Sequence, residues 1–346
     1  MRSMINTCLS IGFAASAVLG VTLQAAEGAS RFSFGVEAGM RWDDNIGLGP
    51  DDPAEFRPEN NDGDQFDDLT TRISGTLNYN AVESGSQEFV LSATPFYELV
   101  NDLDDLSNYG LTVQAAYRGE FGSEFTDPWY SATVGYTIVE FDDSRIRDGD
   151  WFEAELAIGK RFSPAFGLSG GARYFTRSQD NSTGLCPDVP SGPECDPSWD
   201  SGEVFNHDKW GAFAHADFFV GDKTAFFVEY SYWDGDAAST GAFDVRRATG
   251  NGGAAENIFA EDPPFGVSYI AGNGVPRDYF VWRVEATQHI VEAGVSRELT
   301  DQLSIALTAI HLETSDVKGE KLVSVDPNLD NYRNDAVELT LTFDFR

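Results

Sequence analysis

His207 and Asp208 are neighbours in the chain, and His215 and Asp217 are separated by one residue. An imidazole beside a carboxylate is the pairing that acid–base catalysis uses. A hydrolase would add a nucleophile, and the sequence offers only thin candidates for such a constellation. The expectation is therefore a chain that is not an enzyme. The run ENNDGDQFDD, Glu59 to Asp68, sets the hard oxygen donors Asp62, Asp64, Asp67 and Asp68 at close spacing, a candidate Ca²⁺ loop. It lacks the closing glutamate of a calcium-binding helix–loop–helix motif, so a hydrated acidic loop competes with the metal reading, and no other cofactor is expected. Cys186 and Cys195 flank a short stretch rich in Pro, Gly and Asp. Outside the cytoplasm such a pair closes a disulfide loop.

The remaining charges recur at even spacings: Glu153, Glu155 and Arg161; Arg173 and Arg177; Arg283 and Glu285. On a strand, residues two apart share a face. Arg41, Arg72, Arg118 and Glu229 fall on the same polar register as these, with Glu37, Glu98, Glu120, Asp217 and Glu338. Rings of opposed charge select ions and small solutes in a pore. The same residues can instead pair across a narrow, closed interior, and both readings stand. Phe175, Phe213, Phe227 and Trp233 share that register. They form either an aromatic track for amphipathic solutes or filling for the interior.

These side chains need elements to hold them, and the hydrophobic pattern says which. The C-terminal AVELTLTFDFR alternates strictly, with Val337, Leu339, Leu341, Phe343 and Phe345 on one face. Period two is the signature of a strand. The pattern repeats over Phe32 to Trp42, Leu69 to Asn80, Glu88 to Leu99, Tyr109 to Glu120, Trp129 to Phe141 and Trp151 to Phe162. It continues over Phe166 to Arg177, Lys209 to Val220, Thr224 to Trp233, Tyr279 to Arg297, Leu303 to Glu313 and Ala336 to Phe345. That makes about twelve segments, each near the length of a tilted membrane-spanning strand. A switch of face near His289 to Val291 predicts a bulge there.

Short links such as Ser163-Pro164-Ala165 and Gly221-Asp222-Lys223 alternate with longer acidic ones such as Asp43 to Asp68, Gln179 to Asp208 and Asp234 to Asp278. Short turns at one end and long loops at the other predict an antiparallel transmembrane β-barrel, with periplasmic turns and extracellular loops. A secreted sandwich is the rival. It would not gather Trp42, Tyr97, Trp129, Trp151, Trp210 and Phe345 at segment ends, as an interfacial aromatic girdle does. Arg2 and the apolar run Ile11 to Leu23 read as an export signal, residues 1–26, leaving 27–346 as the barrel. The net charge of -34 excludes nucleic acid as a partner, since phosphates would be repelled.

On this alternation, this signal and this final strand, the chain resembles Gram-negative outer-membrane β-barrel proteins of the porin-like class. Arg346 follows Phe345, where that class ends on an aromatic residue. The resemblance implies insertion by the barrel-assembly machinery through the last strand, contact with outer-membrane lipid and lipopolysaccharide, and in some relatives a homo-oligomer. An even strand count puts both termini in the periplasm. The expected function is passive diffusion of small hydrophilic solutes, and the competing one is a non-conducting barrel acting through its acidic loops.

Overall fold

The computed structural model describes residues 31–46, 67–84, 86–101, 106–122, 124–142, 147–179, 205–242, 265–272, 275–318 and 332–345. Within these, the side chains of 238–242, 265–284, 316–318 and 332 are not described. The export signal 1–26, Asp62, Asp64, Cys186, Cys195 and the side chain of Arg283 lie outside the described residues.

The strands are β1 (Phe32–Asp43), β2 (Asp68–Ser84), β3 (Gln87–Val100), β4 (Asn108–Glu120), β5 (Trp129–Phe141) and β6 (Gly149–Ser163). They continue with β7 (Phe166–Gln179), β8 (His207–Val220), β9 (Thr224–Ala242), β10 (Phe265–Gly272), β11 (Val275–Glu298), β12 (Leu303–Lys318) and β13 (Tyr332–Phe345). Each strand from β1 to β8 pairs antiparallel with the next, as do β11 and β12 with their successors. β9 then pairs with β11, and β13 closes onto β1, so that Phe345 faces Phe34 and Val337 faces Trp42. The result is a closed barrel of twelve strands. β10 stands outside this circuit. It forms a hairpin with the Val275–Trp282 end of β11, inside the stretch Asp234 to Asp278 that the sequence pattern assigned wholly to a loop. Pairing with one neighbour makes β10 an extension of the wall and not a stave.

The faces follow from period two. Phe34, Met40, Ile73, Leu91, Leu156, Ile158, Val228, Leu307 and Leu339 are exposed on the outward register, while alternate residues on the same strands are buried. An apolar surface on the convex side of a closed sheet, with every backbone ladder paired, is the form a β-structure needs among acyl chains. No helix among the described residues is long and apolar enough to cross a membrane, which says nothing of strands.

Two expectations about register are corrected. No bulge occurs at His289 to Val291, where the β9–β11 pairing is unbroken from Tyr279 to Arg297. The irregularity lies earlier, between Glu285 and Thr287 on the β12 side. The apparent switch has another cause: His289 faces outward beside Tyr230 and Tyr232, and Ile290 faces inward, so polarity inverts while geometry does not. Trp129 and Trp151 do not join an outer girdle. Each adjoins another aromatic, Tyr130 or Phe152, and adjacent strand residues point to opposite faces, so Tyr130 and Phe152 take the outside and the tryptophans turn in.

Candidate functional site

The inward side chains fall into an apolar tier and a charged one. In the loop-side half, Phe96, Val139, Trp151, Phe175, Trp233, Ile290, Ile310, Leu312 and Ala336 form one buried cluster. They come from β3, β5, β6, β7, β9, β11, β12 and β13, so the cluster packs around and across the interior. Room for the large rings comes from glycines on neighbouring strands. A β-carbon on Gly211 would lie 2.8 Å from the Trp233 ring, and one on Gly294 would lie 2.4 Å from Phe227.

Beside this cluster lies a network of charges centred on Arg173. Its Nε donates to Glu155 Oε2 at 2.8 Å, and its Nη1 donates to Glu229 Oε1 at 2.6 Å and to Ser231 Oγ at 3.0 Å. The guanidinium lies 3.9 Å from the centroid of Phe213. The other oxygen of Glu229 meets His215 Nδ1 at 3.1 Å, and His215 Nε2 meets Asp217 Oδ1 at 3.0 Å. Two carboxylates on one ring are both served only when both nitrogens carry protons. The imidazole also stacks on Phe227, with centroids 5.7 Å apart. The arrangement therefore orders charge in a low-dielectric interior, where each hydrogen bond to an ion counts for more than at a surface.

The remaining expected residues occupy separate stations. Arg72 Nη1 donates to Glu98 at 3.3 Å and its guanidinium lies 4.5 Å from the Phe96 centroid. Arg41 donates twice to Asp43, at 3.0 and 2.5 Å. Arg118 lies over Trp129 at 4.6 Å, and Arg161 over Phe219 at 4.4 Å. Arg177 donates to the carbonyl of Arg147 at 2.5 Å and lies 5.2 Å from Phe205. Glu153 is inward, opposite Phe175. Glu285 is corrected: it is exposed and pairs with Asp236 on the outward register, beyond the irregularity in β11.

Lys209, Gln288 and Glu292 belong to the interior and escaped the sequence reading. Lys209 Nζ donates to Gln288 Oε1 at 3.4 Å and sits 5.0 Å from Phe175 and 5.1 Å from Trp233. Its parity with Phe213, His215 and Asp217 was a usable signal. Glu292 was obscured by the expected bulge three residues earlier. The four aromatic residues are thus platforms for positive side chains and for His215, and do not line an open track.

The catalytic and metal expectations fare differently. His207 is buried on the inner face, whereas Asp208 is exposed on the outer face and accepts a hydrogen bond from Tyr174 at 3.1 Å, so they cannot act on one substrate. Asp68 is buried and accepts from the backbone N–H of Leu69 at 2.6 Å and of Asn101 at 3.1 Å, which anchors the loop ends. Among the described residues no three His, Cys, Asp or Glu side chains converge as a metal site.

No protein-family model and no curated protein matches the chain. Solved structures that match include porins, outer-membrane channels and the translocator units of autotransporters. The COG4313 outer-membrane channel of Pseudomonas putida F1 is 12% identical, with a TM-score of 0.49 over 92% of this chain and 97% of that one. The KdgM porin is 7% identical, with a TM-score of 0.39 over 90% of this chain and 99% of that one. The DcaP channel of Acinetobacter baumannii is 11% identical, with a TM-score of 0.36 over 91% and 96%.

Proposed function

We propose that this chain is a channel of the Gram-negative outer membrane, with its short turns and both termini in the periplasm, through which small hydrophilic solutes diffuse. The observation that carries the proposal is the pairing of an apolar outer face with an inner face bearing Arg41, Arg72, Arg118, Glu155, Arg161, Arg173, Arg177 and Glu229. A barrel that served only to sit in lipid could be filled with apolar side chains; interior charge has a desolvation cost that is offset by pairing, as at Arg173 and Glu229, or where water and solutes reach it. There is no covalent step. Solutes enter past acidic loops, which concentrate cations at low ionic strength, and then meet Arg and Glu side chains in turn.

A second reading rests on the buried cluster from Phe96 to Ala336, which fills the loop-side half of the interior. A barrel plugged there would be silent, and its acidic loops would do the work. The refolded chain in a planar lipid bilayer under a salt gradient decides between them. Discrete conductance steps with a cation preference that fades at high salt are expected for the channel. Neutralising Arg173 and Arg177 together is expected to change both conductance and ion preference. Absence of any such change would remove the interior charges from the mechanism, and a folded but silent barrel would favour the second reading.

A further inference from the structure

Glu292 lies on β11 directly opposite Glu229 on β9. It is 1% exposed, and neither of its carboxylate oxygens has a hydrogen-bond partner. Its neighbour is fully engaged: Glu229 is served by Arg173, Ser231 and His215. Glu292 therefore combines the two most costly conditions for a carboxylate, burial and a like-charged group across the ladder.

A second orphan belongs to the guanidinium that holds Glu229. Arg173 spends Nε and Nη1 on Glu155, Glu229 and Ser231, while its Nη2 is buried without a partner. Nη2 shares a carbon with the nitrogen that holds Glu229, and the β-carbons of directly opposed strand residues are about 5 Å apart. An unpaired donor of one sign and an unpaired acceptor of the other thus both border Glu229. Phe213 lies under the guanidinium and Phe227 packs over Gly294 beside Glu292, so an apolar ring adjoins each of the two groups. What is missing at Glu292 is a positive donor, and what is missing at Arg173 is an acceptor.

We propose that these two groups form a binding subsite for a small zwitterion of the amino-acid class, its ammonium on Glu292 and its carboxylate on Arg173 Nη2. This rests on the channel reading and gives its pathway a preferred solute. One species then completes both orphans, and neither a simple cation nor a simple anion does. The expected contrast is large, because a hydrogen bond to a buried charge contributes more than one between neutral groups.

The test is binding to the refolded full chain in detergent micelles, by titration calorimetry and by tryptophan fluorescence, with glycine as the probe and acetate and methylammonium as single-charge controls. Saturable glycine binding, weaker binding of both controls and a loss of about tenfold or more in Glu292→Gln are expected. No saturable glycine binding, equal binding of the three probes, or unchanged affinity in Glu292→Gln would overturn the proposal. If the variant failed to refold, the comparison of the three probes on the unaltered chain would still decide. Bilayer conductance is read separately. Binding with a silent bilayer would sink the channel and keep the subsite, and conductance without binding would do the reverse.

Discussion

Arg173 joins strands that are not adjacent, since it stands on β7 and holds Glu229 and Ser231 on β9. Its removal leaves Glu229 buried, and Glu155 half-buried, with less compensation. Losing one member of a buried ion pair costs more than the pair itself contributes. Arg173→Met is therefore expected to destabilise the barrel by about 3 kcal/mol in urea unfolding from lipid vesicles. Arg41→Met is the contrast. Arg41 has a side chain 30% exposed, and its partner Asp43 also accepts a hydrogen bond from Asn334, so its loss should cost about 1 kcal/mol or less. Equal effects of the two substitutions would mean that the Arg173 network is not the tie it is argued to be.

The strand is the scale at which lipid and water are told apart. Leu156 sits near the middle of β6, on the outward register, and is 64% exposed. On a protein in water, replacing so exposed a leucine with arginine would be close to neutral. On a wall facing acyl chains, Leu156→Arg is expected to cost about 2–4 kcal/mol, measured by equilibrium unfolding in vesicles. Element boundaries were largely legible for a related reason. A spanning strand must alternate along its whole length, so Trp129–Phe141 and the final strand through Phe345 stand out as uninterrupted patterns. β10 was not legible, because a hairpin outside the closed circuit of strands is under no such constraint. Nor was the inward turn of Trp151, although its neighbour Phe152 carried the information.

Closure belongs to the whole molecule. β13 is hydrogen-bonded to β12 on one side and to β1 on the other. Without it two edges would stand unpaired where water cannot reach them, each backbone group costing several kcal/mol. Removal of residues 332–346 is expected to abolish the compact, heat-modifiable band that folded barrels show in gel electrophoresis. Retention of that band would mean that β1 and β12 can pair directly. The acidic excess acts at the same scale: it is a property of the loop end as a region, and its influence on ions should vanish as the Debye length shrinks with salt.

The amino-acid sequence by itself determined the twelve barrel strands, the faces of all but β11 and the short-turn and long-loop ends, because these are local consequences of a two-residue period and of turn chemistry. It also determined that Arg173, Glu155 and Glu229 share one face, since parity alone decides that. Only the tertiary structure decided which inward residues meet. Arg173 reaches across a strand to Glu229, Lys209 settles between Phe175 and Trp233, and Glu292 is left without a partner. Those meetings depend on register between strands distant in sequence, on the curvature that brings β9 to β11, and on glycines that make room for rings. None of these is encoded in the pattern of any single strand.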